Sequence, residues 1–370
     1  MNPRHNFWMT RALSEAARGR GAVEPNPMVG AVIVDDERLL AVGHHAQFGG
    51  PHAEVVALET IENTAAGATL YVTLEPCSHF GKTPPCTDAI IRAGIRRVVA
   101  SMSDPFPKVA GNGFAKLREA GINVLIGVLE EESKRLNAPY LKRLSQGRPF
   151  VTAKWAMTLD GKIATASGHS QWISGPRSRA IVHELRGRMD AIIIGIGTAL
   201  ADDPRLTARP AGPRLASRVV LDSNARLPLN SQLVQTSKEV PTLISVTNRA
   251  PIERVVALEA AGCEVIRMKG CGQVSISLLL DELGQRGMTN VLVEGGGRTI
   301  GAFFDEGEID ALEVFIAPML EGGPPSFTPT TGRGAASMDL VKRLERHEIA
   351  VLDGDVHLRG EFPHSWLDGD

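Results

Sequence analysis

Short runs of continuous apolar character, each the length of one strand and spaced by helix-length stretches, constrain this chain most. GAVIVD at Gly30–Asp35, TLYVTL at Thr69–Leu74 and DAIIIGI at 190–196 show no alternation of polar and apolar residues. A strand that is apolar on both faces must be covered on both, so these runs predict sheets sandwiched between helices. Helices are predicted over 7–18, 52–59 and 87–93, with a short strand at 97–101. The fold class is α/β.

The alternation halts near 144–148 (LSQGR) and restarts with strands at 150–157, 190–196, 218–221, Thr242–Val246 and Asn290–Val293. Helices at 178–188 and 252–261 lie between them, and GGPP at 322–325 together with 328–333 reads as a loop. At 370 residues the chain exceeds the roughly 250–300 that one core supports, so the break divides it into domains 1–147 and 148–370.

Composition narrows the function classes. With 40 basic and 42 acidic residues the formal charge is −2, and no basic block appears, so no nucleic-acid footprint is expected. MNPRHNFWMT lacks the apolar core of a signal peptide, and no apolar run approaches the ~20 residues of a membrane span. Four cysteines in so long a chain form no disulfide framework; a reducing, cytoplasmic setting is expected, and their spacing is read for metal or catalysis.

Pro51-His52-Ala53-Glu54 is followed by Glu75-Pro76-Cys77 and Pro85-Cys86. One imidazole and two thiolates suit Zn²⁺, and three protein ligands leave the open fourth position of a catalytic site. Each ligand is placed at the start of a predicted helix, with Cys77 directly after a strand. Glu54, two residues beyond His52, is the candidate general acid/base. The pattern is similar to the H-x-E…P-C-x-x-C signature of zinc nucleobase deaminases, except that the cysteines here are wider apart. A fourth protein ligand would make the site structural, and the candidates are His45 and His79. Cys263 and Cys271 have no neighbouring His and read as ordinary thiols.

With Pro25-Asn26-Pro27-Met28-Val29-Gly30, Gly43-His44-His45 and the insert ending GKTPPC at Cys86, the chain resembles the bifunctional deaminase–reductases of riboflavin biosynthesis. The resemblance continues through Ala153-Lys154, Leu159-Asp160-Gly161, Ser170-Gln171-Trp172-Ile173, Gly197-Thr198, Ala201-Asp202-Asp203-Pro204 and Glu294-Gly295-Gly296-Gly297. It implies a cytidine-deaminase-like three-layer domain followed by a dihydrofolate-reductase-like domain, with Zn²⁺ and NADPH as cofactors, and a homo-oligomer. The implied substrate is a small phosphorylated pyrimidine, 2,5-diamino-6-ribosylamino-4(3H)-pyrimidinone 5′-phosphate. Its 2-amino group is lost by hydrolysis, and the ribosyl side chain is then reduced to ribityl.

By the same resemblance Asn26 and His45 line the deaminase pocket, and Lys82 and Thr83 its rim. Ala156, Trp172, Thr198, Asp202, Ser223, Gly296, Gly297 and Arg298 contact NADPH. Ser170, Arg186, Leu206, Arg209 and Glu294 contact substrate. Lys154 and Asp202 are the candidates for the hydride step. On spacing alone Trp172 also reads as core and Arg186 as a solvated helix residue. Taken alone, the turns after 190–196 and Asn290–Val293 read first as tight β–α connections.

Overall fold

The computed structural model describes residues 3–62, 64–80, 84–106, 109–270, 272–323, 327–364 and 366. It divides into two compact units, Met1–Gln146 and Gly147–Asp370.

In chain order the first unit runs α1 (Pro3–Ala16), β1 (Gly30–Asp35), β2 (Arg38–His44), α2 (Ala53–Glu59), β3 (Thr69–Leu74), α3 (Cys86–Arg92), β4 (Arg97–Met102), α4 (Asn112–Glu119), β5 (Asn123–Ile126), α5 (Glu130–Leu136) and α6 (Ala138–Gln146). The sheet order is β2-β1-β3-β4-β5. Successive side chains leave a strand on opposite faces. Ala31, Ile33, Leu70, Val72, Val98 and Ala100 therefore pack with Ala53, Ala57, Ile90 and Phe114 of α2, α3 and α4. Val32, Val34, Tyr71 and Val99 pack with Trp8, Met9 and Ala12 of α1. The continuous apolar strands are the consequence of this helix–sheet–helix layering.

The second unit runs β6 (Phe150–Thr158), α7 (Pro176–Arg186), β7 (Ala191–Gly195), α8 (Ile196–Asp202), β8 (Ser217–Leu221), α9 (Gln232–Gln235), β9 (Thr242–Val246), α10 (Ile252–Ala260), β10 (Glu264–Arg267), α11 (Ile276–Gln285), β11 (Asn290–Val293), α12 (Gly297–Asp305), β12 (Ala311–Ala317), β13 (Arg346–Leu352) and β14 (Asp355–Glu361). The sheet order is β10-β9-β8-β7-β11-β6-β12-β14-β13. Ile192, Ile194, Val220 and Ile244 face Ala199, Leu233, Val255 and Leu258. Val151, Ile193, Val219 and Val291 face Leu279, Leu283, Ile300 and Phe303. β11 is inserted between β6 and β7, which places a topological switch point there, and in open α/β sheets ligands bind beyond the carboxyl ends of strands at such a point.

Neither sheet is wholly parallel. β1 pairs antiparallel with both β2 and β3. At the far edge β14 pairs antiparallel with β12 and β13. Along β13 only Leu352 is buried, so the doubly covered sheet expected from the apolar runs ends before this hairpin. Its turn, Asp353-Gly354, has positive φ at both residues (53° and 107°), as a two-residue hairpin loop requires. No helix among the described residues is long and apolar enough to cross a membrane.

Candidate active sites

In the first unit His52 immediately precedes α2, and Cys86 is the first residue of α3. Cys77 instead lies in the loop after β3, not at a helix start. The β2–α2 approach that sets His52 depends on Gly43, where a Cβ would sit 2.3 Å from the Ala53 carbonyl oxygen. Glu75, almost fully buried, fixes the Cys77 loop over the start of α4. Its Oε1 accepts from the Gly113 and Phe114 amides (2.9 and 3.4 Å), and its Oε2 from Gly111 and Asp104 (3.0 and 3.3 Å).

Glu75→Ala is expected to leave buried amides without acceptors, lowering stability by about 3 kcal/mol and loosening zinc. An unchanged urea midpoint and zinc affinity would show that the loop is held otherwise.

His52 Nδ1 stands 3.2 Å from Cys86 Sγ and 3.5 Å from Cys77 Sγ. The three donor atoms lie within 4.8 Å of one another. The set fits Zn²⁺: one nitrogen and two sulfurs converge, and a fourth direction stays free of protein donors among the described residues. Hydrogen bonding from Cys86, then from His52, holds the Cys77 thiol well below its ordinary value, while the same bond and burial push Cys86 up. His52 is raised to about 8, chiefly by its bond to Cys77. Glu54 is buried beside Cys86; burial raises its carboxyl, with the His52 charge pulling the other way.

His45 is not a fourth ligand. Its Nδ1 bonds the Pro51 carbonyl oxygen (3.0 Å), and its Nε2 the Asn26 side-chain amide (3.3 Å). Its ring stands edge-on to His52 at 5.5 Å between centroids. Burial lowers its pKa, so it is a neutral ring fixed in one orientation. Asn26 is placed in turn by Asn137, which accepts from the Met28 amide (2.7 Å) and donates to the Met28 carbonyl (3.0 Å). His79 falls outside the ligand group. Lys82 and Thr83 lie outside the described residues.

In the second unit one cleft of about 1440 Å³ opens where β6, β7, β8 and β11 end. Lys154, Ala156, Ser170, Trp172, Arg186, Thr198, Asp202, Leu206, Arg209, Ser223, Glu294, Gly296, Gly297 and Arg298 all line it. The two glycine turns meet: the Gly296 amide donates to Thr198 Oγ1 at 3.1 Å. A Cβ on Gly195 would lie 2.3 Å from Thr299 Oγ1, whereas one on Gly197 would enter open space. Two backbone turns packed this tightly, bare toward the cleft and each leading into a helix, fit the diphosphate of a dinucleotide.

At the β6 side the charged groups interlock. Arg186 holds Glu294 with two bonds, Nε–Oε1 2.6 Å and Nη2–Oε2 2.8 Å. Lys154 Nζ lies 3.7 Å from Glu294 Oε2. Burial alone would raise the Glu294 carboxyl, but the Arg186 and Lys154 charges outweigh it and hold it at about 2. Burial lowers the Lys154 ammonium, with Glu294 opposing. Arg186 is therefore no solvated helix residue, and Trp172, 68% exposed with the Arg179 guanidinium 4.6 Å above its ring, is no core residue.

Ser170 Oγ donates to Asp202 at the exposed rim (3.4 Å), and burial raises the Asp202 carboxyl. Arg209 is exposed, its Nη1 donating to Thr207 Oγ1 at 3.1 Å. Leu206 sits with its side chain in the core and φ of 52°, so it offers the cleft its backbone.

Cys263 is buried, and Cys271 lies outside the described residues, as do 324–326 of the GGPP loop. Thr299 and Arg226 also line the cleft and are absent from the set predicted above. Thr299 lies two residues past the Gly-rich turn and was within reach of that motif. Arg226 lies in a loop with no motif.

An open three-ligand zinc site beside a buried glutamate, followed by a dinucleotide cleft in a separate α/β unit, defines a bifunctional deaminase–reductase. Residues 2–102 match the cytidine and deoxycytidylate deaminase zinc-binding region, and residues 149–358 match the RibD C-terminal domain. The chain belongs to the RibD family of riboflavin-biosynthesis proteins. It is 44% identical to riboflavin biosynthesis protein RibD of Aquifex aeolicus, over 94% of this chain and 96% of that one. Among solved structures, RibD of Acinetobacter baumannii superposes with a TM-score of 0.83 at 36% identity, covering 98% of this chain and 99% of that one. A deaminase/reductase from Thermotoga maritima gives the same TM-score and identity, covering 97% and 99%.

Proposed function

We infer that this chain carries out two successive steps of riboflavin biosynthesis in the cytoplasm. It deaminates the diaminopyrimidinone ribotide hydrolytically, then reduces the ribosyl side chain with NADPH. The observation that carries the reading is the His52–Cys77–Cys86 group with Glu54 buried against it.

Zinc held there supplies the Lewis acidity that makes water a nucleophile at neutral pH. Glu54 takes the water proton and delivers it to the departing amine, a role its raised pKa suits. Asn26 and the neutral His45 ring orient the pyrimidine, and Lys82 and Thr83 are assigned to substrate by the family resemblance alone.

In the cleft NADPH supplies the hydride. Thr198, Gly296, Gly297 and Arg298 would hold its diphosphate, and Ala156, Trp172, Asp202 and Ser223 would complete its site. Of Lys154 and Asp202, the first better suits the reacting nitrogen. It is deeply set, ion-paired with Glu294 at 3.7 Å and lowered by burial, so it releases a proton more readily than an exposed ammonium. Asp202 instead orders the Ser170 loop at the rim. Ser170, Arg186, Arg209, Glu294 and the Leu206 backbone position substrate, and the exposed Arg209, which spends Nη1 on Thr207 Oγ1, has donors left for its phosphate. The chain works as a homo-oligomer.

Removing zinc by chelation or by Cys86→Ser tests the assignment. Metal content and deamination should both be lost, while NADPH oxidation on the already deaminated ribotide continues. Deamination that survives verified zinc loss would refute it.

A further inference from the structure

We propose that Arg226, with the loop Asp222–Leu227 that carries it, reads the 2′-phosphate of NADPH and sets the preference over NADH. This rests on the cleft being the NADPH site. Direction along the sheet comes first. The reacting end of the cleft is at Lys154, within β6, and Glu294, just after β11. The paired glycine turns stand beyond β7 and β11. A dinucleotide with its diphosphate on those turns and its nicotinamide toward Lys154 must extend its adenosine the other way, over β8. The loop after β8 lines the cleft through Ser223, Asn224 and Arg226. Strands stand about 4.8 Å apart, so this loop lies one strand beyond β7, on the scale of a ribose.

The loop is built to be rigid. The Ala225 amide bonds the Asp222 carbonyl at 3.0 Å, and the Leu227 amide bonds Asp222 Oδ2 at 2.8 Å. Arg254 of α10 donates to the Ala225 and Leu227 carbonyls at 3.0 and 2.7 Å. Thr247 bonds the Ser223 carbonyl through both its amide (3.1 Å) and its hydroxyl (2.9 Å). Ser223 Oγ accepts from the Val274 amide at 3.2 Å, which leaves its own O–H to donate.

In many dinucleotide folds an acidic side chain near this place bonds the ribose 2′-hydroxyl and selects NADH. Asp222 does not offer that. Its side chain is fully buried, one oxygen serves Leu227, and the other faces Arg226 Nε at 3.9 Å. The carboxylate thus faces the Nε side of Arg226, which lines the cleft, is 57% exposed and has no other ion pair among the described residues. Most of the other cleft cations are placed differently. Lys154 and Arg186 are committed to Glu294, and Arg179 covers Trp172 and donates to the Ser174 carbonyl. Arg205 and Arg209 line the cleft from the segment between α8 and β8, not from the loop after β8. Arg298 is the second residue of α12, beside the glycine turn assigned to the diphosphate.

The test is equilibrium binding of NADPH and NADH to the full zinc-loaded chain, with adenosine 2′,5′-bisphosphate and AMP as fragments. Arg226→Gln should raise the Kd of NADPH and of the bisphosphate about 10- to 100-fold and leave NADH and AMP within about twofold. Arg226→Lys should restore part of the loss. Equal weakening of NADPH and NADH, or no change in either, would overturn the proposal. Wild-type chain that binds both dinucleotides equally would overturn it and leave the reductase reading standing. Wild-type chain that binds neither would remove that reading as well.

Discussion

Glu54→Gln is expected to lower the deamination kcat about 10³-fold while zinc content and the NADPH-dependent step stay unchanged. Gln keeps the shape and the burial of the residue, 3% exposed in the native chain, but cannot carry the proton from water to the leaving amine. Glu54 is not one of the three converging ligands, so its loss should not release the metal. Zinc stoichiometry and single-turnover ammonia release measured on the same sample decide the matter. Full deamination in a zinc-loaded Glu54→Gln enzyme would assign the proton transfer elsewhere. Loss of both zinc and activity would make Glu54 part of the metal's support instead.

The second large effect falls on the other unit. Glu294→Gln should cost about 3 kcal/mol of stability, because it leaves the Arg186 and Lys154 cations buried without their shared anion. NADPH oxidation should fall sharply with deamination intact. The acid dependence has a definite sign. Glu294 ionises at about 2 in the folded chain against 4.5 ordinarily, so its folded value is depressed. Its contribution is complete above pH 4.5 and is lost as the pH falls from there toward 2. The stability difference between native and Glu294→Gln chains should therefore shrink across that window. A constant difference from pH 6 down to about 2 would mean that the carboxylate is not held by those two charges.

The apolar runs were a sound guide where both faces of a strand are covered: Gly30–Asp35, Thr69–Leu74, Thr242–Val246 and Asn290–Val293 are all strands with those bounds. The same signal was blind to β13, whose residues Arg346, His347 and Glu348 are exposed, and to β2, whose first two residues are exposed. For β13 the Asp353-Gly354 pair was the available mark, since that dipeptide favours the two-residue hairpin. His52, Cys77 and Cys86 were legible because zinc demands particular donors, and no packing role explains two Pro-Cys pairs with His-x-Glu. That Cys77 lies in a loop was not legible, because Glu75 holds that loop through amides some 29–39 residues away.

The cleft was legible only through the family resemblance. Its charged core joins Lys154, Arg186 and Glu294, which sit on three different elements and share no local spacing. Arg226 is harder still. Nothing in SNARL distinguishes it from a surface arginine until Asp222 is seen buried beneath it.

Product masses give the most direct test of a two-site enzyme. Zinc-loaded chain is incubated with the diaminopyrimidinone ribotide, with and without NADPH. Without NADPH, the product should differ from substrate only by exchange of one amine for oxygen. With NADPH, two further hydrogens should appear, and only in the ribose-derived part. Hydrogen added to a still-aminated pyrimidine, or no change with zinc verified in place, would contradict the account.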